Sequence, residues 1–152
     1  MGRAGRAWVL AALAVAAPAP AAPGRVREAE AFMAAYAQDL RSGDRAAIAG
    51  RYDRRGAWRV GNGEKSFSGW QDIRARYQGP AWSPPSSFAW RELSFEPVGE
   101  GVVVAGLFDW GVGAGKPVLT FSYSALLVRR GGALRIRLED ESGPAKPRAP
   151  ER

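Results

Sequence analysis

Neither cysteine nor histidine occurs in the 152 residues, and these two absences remove whole classes of chemistry. Without cysteine there is no disulfide, thiol nucleophile, thiolate metal site or lipid attachment through sulfur, so stability rests on packing alone. Without imidazole, the commonest general base and the commonest transition-metal ligand are both missing. Zinc is excluded in practice, no run of carboxylates has the spacing of a calcium loop, and no metal or cofactor is expected. Proton movement falls to carboxylates, tyrosines, lysines and hydroxyls. Long apolar runs are also scarce. The one unbroken run, Trp8 to Ala17, is about half the length of roughly 20 residues that a membrane-spanning helix needs.

That run follows Arg3 and Arg6 and precedes the small, proline-rich stretch Pro18 to Pro23, which is the pattern of a signal peptide. Cleavage is expected after Ala21, at Ala19-Pro20-Ala21, because a cut after Ala22 would put Pro23 just beyond the scissile bond. Residues 1–21 are therefore read as a signal peptide, and the mature protein as periplasmic or secreted, with no membrane attachment after cleavage. The net charge of +7 overstates the basicity of the domain. Arg3 and Arg6 leave with the leader, and Lys146, Arg148 and Arg152 sit in a proline-rich stretch, 143–152, read as a disordered basic tail. The remaining arginines are scattered among acids, without the basic stripe and interleaved aromatics of a nucleic-acid footprint, so no nucleic acid is expected as a partner.

The residues between these ends are enough for one domain. From Val26 to Arg41 the positions Ala29, Phe32, Met33, Tyr36, Ala37 and Leu40 follow helical spacing. Gly43 supplies a stop, and Asp44 caps a second helix running to about Tyr52. Ala57 to Val60 and Lys65 to Ser68 read as short strands about Gly61-Asn62-Gly63, and Trp70 to Tyr77 as a third helix. After Pro80, Pro84 and Pro85 the pattern becomes strand-like, over Ser87–Pro97, Val102–Val112, Val118–Arg130 and Leu134–Ser142. Three helices followed by a meander make an α+β domain with helices on one face of an antiparallel sheet. Gly111 to Lys116 has some glycines of a phosphate loop, but Trp110 stands where the first is needed and strands flank it, so it reads as a hairpin turn.

In order and spacing these pieces resemble the nuclear-transport-factor-2-like superfamily, and within it the exported SnoaL-like proteins related to ketosteroid isomerase. The matching residues are Tyr36 with Ser42-Gly43-Asp44, Tyr52, Trp58, Ser68-Gly69-Trp70 with Ile73 and Tyr77, Val102 to Gly106, and Leu127 to Ile136, ending at Ser142. The resemblance runs from Glu28 to Ser142, within a domain read over residues 26–142. It implies a cone-shaped, curved antiparallel sheet wrapped round three N-terminal helices, of cystatin-like form, with a deep pocket on the concave side and a homodimer through the outer sheet face. Val103, Ala105, Leu107 and Asp109 share one strand face and Phe121, Tyr123 and Ala125 one face of the next; both faces are expected to line the cone.

The resemblance places Tyr36 where the isomerase tyrosine hydrogen-bonds a developing enolate oxygen. The isomerase base and second acid fall near Val60 and Phe121, both apolar, so steroid isomerisation is not implied. Leu138 and Asp140 stand where related exported proteins often carry histidines. Asp109, in an apolar column, has the setting that raises a carboxyl pKa. In the last strand Arg135, Arg137, Glu139 and Glu141 alternate with Leu134, Ile136, Leu138 and Asp140, and Arg137 with Glu139 would make a polar floor if that face points inward. The catalytic candidates are thus Tyr36, Asp109 and Glu139. Tyr52, Trp58, Tyr77, Trp90, Tyr123 and Arg137 are the ligand-binding candidates. The leading expectation is a domain binding a small apolar or amphipathic molecule in an aromatic pocket. One alternative is a cofactor-free enzyme of isomerase, dehydratase or hydrolase type, using Asp109 or Glu139 with Tyr36. The other is a dimerising interaction module whose vestigial pocket is filled by Trp58, Trp90 and Phe121.

Overall fold

The computed structural model describes residues 22–61 and 63–144. The leader read over 1–21 and nearly all of the tail read over 143–152 lie outside the described residues. None of the described helices is long and apolar enough to cross a membrane.

Helix α1 (Ala22–Ser42) buries the six apolar side chains that its spacing selects, Ala29 through Leu40. Gly43, at φ 69°, stops it, and Asp44 accepts from the Ala47 N–H at 2.9 Å to open α2 (Arg45–Gly50). Strands β1 (Ala57–Gly61) and β2 (Glu64–Ser68) form a hairpin, followed by α3 (Trp70–Gln78), whose first turn is closed by the Gly69 N–H donating to Asp72. The four long strands are β3 (Ser87–Val98), β4 (Gly101–Gly111), β5 (Val118–Arg130) and β6 (Ala133–Pro144).

One six-stranded sheet results, in the order β2-β1-β6-β5-β4-β3. Its neighbours are antiparallel except β1 and β6, which run parallel and set Arg59 beside Glu139. This parallel seam is additional to the expected meander. Gly61 makes it possible at its far end: a Cβ there would stand 2.3 Å from the Glu141 carbonyl oxygen. The helices cover the concave face, and Tyr36, Tyr52, Ile48, Val104, Leu127 and Ile136 form part of the core between them.

Two of the three register shifts among the long strands change which residues face inward. In β3 the register against β4 shifts between Arg91 and Ser94, with Glu92 at φ 52°. In β6 the register against β5 shifts at Arg137, because Leu126 pairs with Leu138 while Leu127 pairs with Ile136. A bulge adds one residue and inverts the alternation beyond it. Leu134 and Ile136 are buried before the bulge, and Glu139 after it, at 1% exposure. The expectation of one unbroken alternation along β6 is thereby corrected: Arg137 and Glu139 do not share a floor.

The β4 expectation is corrected too. Val102, Val104 and Phe108 are buried, whereas Val103 is exposed, so the face carrying Val103, Ala105, Leu107 and Asp109 is the outer one. On β5 the expected face is the inner one, with Tyr123 and Ala125 buried and Phe121 half-buried.

Candidate functional site

Four elements converge on the Glu139 carboxylate. Tyr52, in the link after α2, donates to Oε2 at 2.5 Å; Tyr123 of β5 and Tyr36 of α1 donate to Oε1 at 3.1 and 3.4 Å. Tyr77 of α3 lies 2.7 Å from the Tyr52 oxygen, and since the Tyr52 proton is committed to Glu139, Tyr77 is the donor in that pair. Tyr52 is held in place by its own backbone, because Ile136 N–H donates to Arg51 O and Asp53 N–H to Ile136 O, pinning the link after α2 to β6. Trp90 closes the side of the cluster, its indole N–H donating to Met33 O at 2.8 Å and its ring 4.6 Å from that of Tyr123.

Burial sets the protonation of this cluster. Desolvation, and then the neighbouring Glu139 charge, push Tyr36, Tyr52 and Tyr123 well above the usual phenol range, so all three remain donors. Glu139 itself is raised by burial, against which the three phenols and Arg59 act in the opposite direction without prevailing.

Beside this cluster opens a cavity of about 440 Å³. Tyr36 and Tyr77 line it and also belong to the hydroxyl cluster, so they connect the open space with the enclosed carboxylate. Phe108, Trp110 and Phe121 form the sheet side of the wall, and Trp82 the opposite side. The loop carrying Trp82 is fixed by Arg45, whose guanidinium donates to the carbonyls of Tyr77, Gly79 and Trp82 at 2.8–3.0 Å and lies over the Trp82 ring. Arg59, Arg76 and Glu141 make the polar end. Burial, then the charge of Glu139, push Glu141 up to about 8. Its side chain, which lines the cavity, keeps 38% of its surface exposed, and Arg59 stands 3.8 Å away.

The structure brings together six of the sequence-predicted site residues: Tyr36, Tyr52, Tyr77, Tyr123, Trp90 and Glu139. It separates the other three. Asp109 lies on the outer face, accepting from Thr120 at 2.7 Å and from Arg91 at 3.2 Å. Arg137, at the bulge, donates to Gly56 O at 2.6 Å and lies over the Phe67 ring, tying β6 to the start of β1. Trp58 is 38% exposed and packs edge-on against Phe67, because the seam with β6 turns its neighbour Arg59 inward instead. Sequence reasoning missed Arg59, Arg76 and Glu141 as site residues. The spacing of Glu139 and Glu141, two apart on one strand, was the available signal for the last of these. Among the described residues, no group of three or more metal-ligating side chains is placed to hold an ion.

The fold has solved counterparts. An NTF-2-like protein from Shewanella oneidensis superposes with a TM-score of 0.67 at 16% identity, covering 77% of this chain and 98% of its own. A candidate ketosteroid isomerase from Parabacteroides distasonis gives 0.63 at 16% identity, over 78% of this chain and 86% of its own. An NTF2-like protein with a cystatin-like fold from Novosphingobium aromaticivorans gives 0.65 at 13% identity, over 84% and 86%. No protein-family model matches the sequence, and no curated protein matches it significantly. At these identities the likeness is one of fold: the chain has the nuclear-transport-factor-2-like, cystatin-like architecture.

Proposed function

We propose that this protein is an exported domain that binds a small, ring-bearing molecule in the cavity between its helices and its sheet. The observation that carries the reading is the open space of about 440 Å³ walled by Trp82, Phe108, Trp110 and Phe121, with its polar groups gathered at one end. Ligand pockets commonly measure about 300–1,000 Å³ and combine apolar walls with a few convergent polar groups. The reading as an interaction module with a vestigial pocket needs Trp58, Trp90 and Phe121 to fill this space. Trp58 packs against Phe67 outside it, Trp90 is taken up in the core, and Phe121 lines the opening.

A second reading, proton transfer without a cofactor, is favoured by one observation: Glu141 faces the cavity with its carboxyl held near 8, close to Tyr36 and Tyr77. A carboxyl titrating near neutrality is suited to giving and taking protons. Asp109 has no part in this reading, since it lies on the outer face. A small-molecule screen by thermal shift tests the first reading, with hits expected to stabilise the protein by about 2–3 kcal/mol at a hundred times their dissociation constant. Ser83→Trp, which fills the cavity mouth from an exposed position, is expected to abolish those shifts. Hits incubated in heavy water and weighed by mass spectrometry test the second. Deuterium uptake or a new product that Glu141→Gln removes would establish catalysis, whereas recovery of the unchanged ligand leaves binding alone.

A further inference from the structure

Arginines in this protein are mostly matched to acceptors. Arg51 meets Asp39 at 2.6 Å, Arg130 meets Asp53 at 3.0 Å, Arg129 meets Glu28, and Arg45 and Arg137 take backbone carbonyls. Arg59 differs. Its side chain is only 16% exposed, its Nε is shielded from solvent, and it makes no hydrogen bond among the described residues. Its ion-pair partner, Glu141, is at 3.8 Å, beyond hydrogen-bond reach, and Glu139 beside it is already occupied by three phenols. A buried N–H without an acceptor costs about 1–3 kcal/mol, more when charged, and the Arg59 Nε is such a group. The exposed remainder of the side chain borders the cavity, where an acceptor can arrive from outside.

The place where it would arrive is defined by a second concavity. The aromatic cavity continues into a polar annex of about 230 Å³ lined by Val60, Gly61, Glu64 and Ser66, and the two spaces share Arg59, Arg76 and Glu141. Arg76, on the exposed side of α3, likewise has no carboxylate or carbonyl partner among the described residues. Two arginines without hydrogen-bonded acceptors thus stand at the junction of an aromatic chamber and a polar one.

We propose that the ligand is an aromatic carboxylate: its flat apolar body lies between Trp82 and the Phe108, Trp110 and Phe121 wall, and its anionic head is held by Arg59 and Arg76. Guanidinium forks match the geometry of a carboxylate, which they can bind through two parallel hydrogen bonds. Glu64 lines the annex beside this junction and disfavours a doubly charged head, so a monoanion is the better match than a phosphate dianion. This assignment rests on the cavity being the ligand site, and it specifies the ligand class.

The test compares 2-naphthoate, ionised at neutral pH, with 2-naphthamide, which has the same rings and a neutral head. Binding to the mature protein is followed by calorimetry and by quenching of Trp82 and Trp110. The naphthoate is expected to bind at least tenfold more tightly than the amide. Arg76→Gln, at an exposed helical position, is expected to cut that preference to about threefold or less by weakening naphthoate far more than amide, and Arg59→Gln, checked for folding by circular dichroism, is expected to do the same. Equal or tighter binding of the amide, or a preference that survives both substitutions, would overturn the carboxylate assignment and leave the cavity reading standing. If neither compound binds up to millimolar concentration, with quenching absent, the aromatic-cavity reading fails and this one with it.

Discussion

Two carboxylates in this protein are equally shielded from solvent, at 1% exposure each, and their neighbours drive them in opposite directions. Asp53, just after α2, accepts from the Arg55 N–H at 2.9 Å and from Arg130 Nε at 3.0 Å. Burial opposes its charge, but the backbone N–H of Arg55 and the Arg130 guanidinium outweigh it and hold the carboxyl below its ordinary value. Glu139 has phenols in place of a hydrogen-bonded cation, and there burial prevails and the carboxyl is raised. Shielding from solvent alone therefore does not assign a role. Asp53 is a lock between the α2–β1 connection and β5, away from the cavity. Glu139 is the enclosed end of a hydroxyl cluster that reaches the cavity through Tyr36 and Tyr77.

The sharpest way to test this contrast is to remove Asp53. Asp53→Ala leaves Arg130 and the Arg55 N–H without their acceptor, and removing one member of a buried pair costs about 3–5 kcal/mol. Since Arg130 is 39% exposed and can recover water, the expected loss is about 2–3 kcal/mol at pH 7. The pH dependence follows from the lowered pKa. The Asp53 contribution is fully present above its unfolded value of 3.8 and fades as the pH falls through the lower folded value. Urea unfolding of both proteins at pH 7 and pH 3 should show the gap between them narrowing in acid.

Glu139→Gln should give the opposite limb with a smaller effect. Gln retains one oxygen for the phenols but adds an amide donor facing the Tyr52 hydroxyl, which is expected to cost about 1 kcal/mol at pH 5. Because the folded pKa of Glu139 lies above its unfolded value of 4.5, the wild type loses stability as the pH rises from that value. The variant loses less, so the gap should close toward pH 8. Glu141, which also titrates high, gives a slope of the same sign and is present in both proteins. A gap that widens toward pH 8 would mean that Glu139 is held charged as Asp53 is, and the comparison would collapse.

The difference between these carboxylates was only partly legible in the sequence. Element positions were legible because local signals agree: apolar spacing for α1, Gly43 and Asp44 at its end, and prolines before the long strands. Tyr36 and Glu139 were identifiable as site candidates, one from helical spacing and resemblance, the other from its strand. What could not be read was phase. In β4 both faces are apolar, Val102, Val104 and Phe108 on one and Val103, Ala105 and Leu107 on the other, so alternation does not tell inner from outer. In β6 a single extra residue at Arg137 inverts the pattern, and no residue type announces it, since Leu134, Ile136 and Leu138 alternate with charged residues straight through the bulge. The inward turn of Arg59 was hidden by the same kind of gap: it follows from a parallel seam with β6, a long-range pairing that local periodicity does not encode.

Asp109 marks the other end of the scale and is the control for the whole contrast. It was expected inside, and the structure places it outside, paired with a half-exposed Arg91 and with Thr120. Exposed ion pairs are worth about 0–1 kcal/mol, and an amide at this position keeps an oxygen for the Thr120 hydroxyl. Asp109→Asn should therefore change stability by about 0.5 kcal/mol or less and leave 2-naphthoate binding unchanged. A tenfold loss of naphthoate affinity on this substitution would place the outer face of β4 in the ligand site, and the division between an inner hydroxyl cluster and an outer solvated face would have to be redrawn.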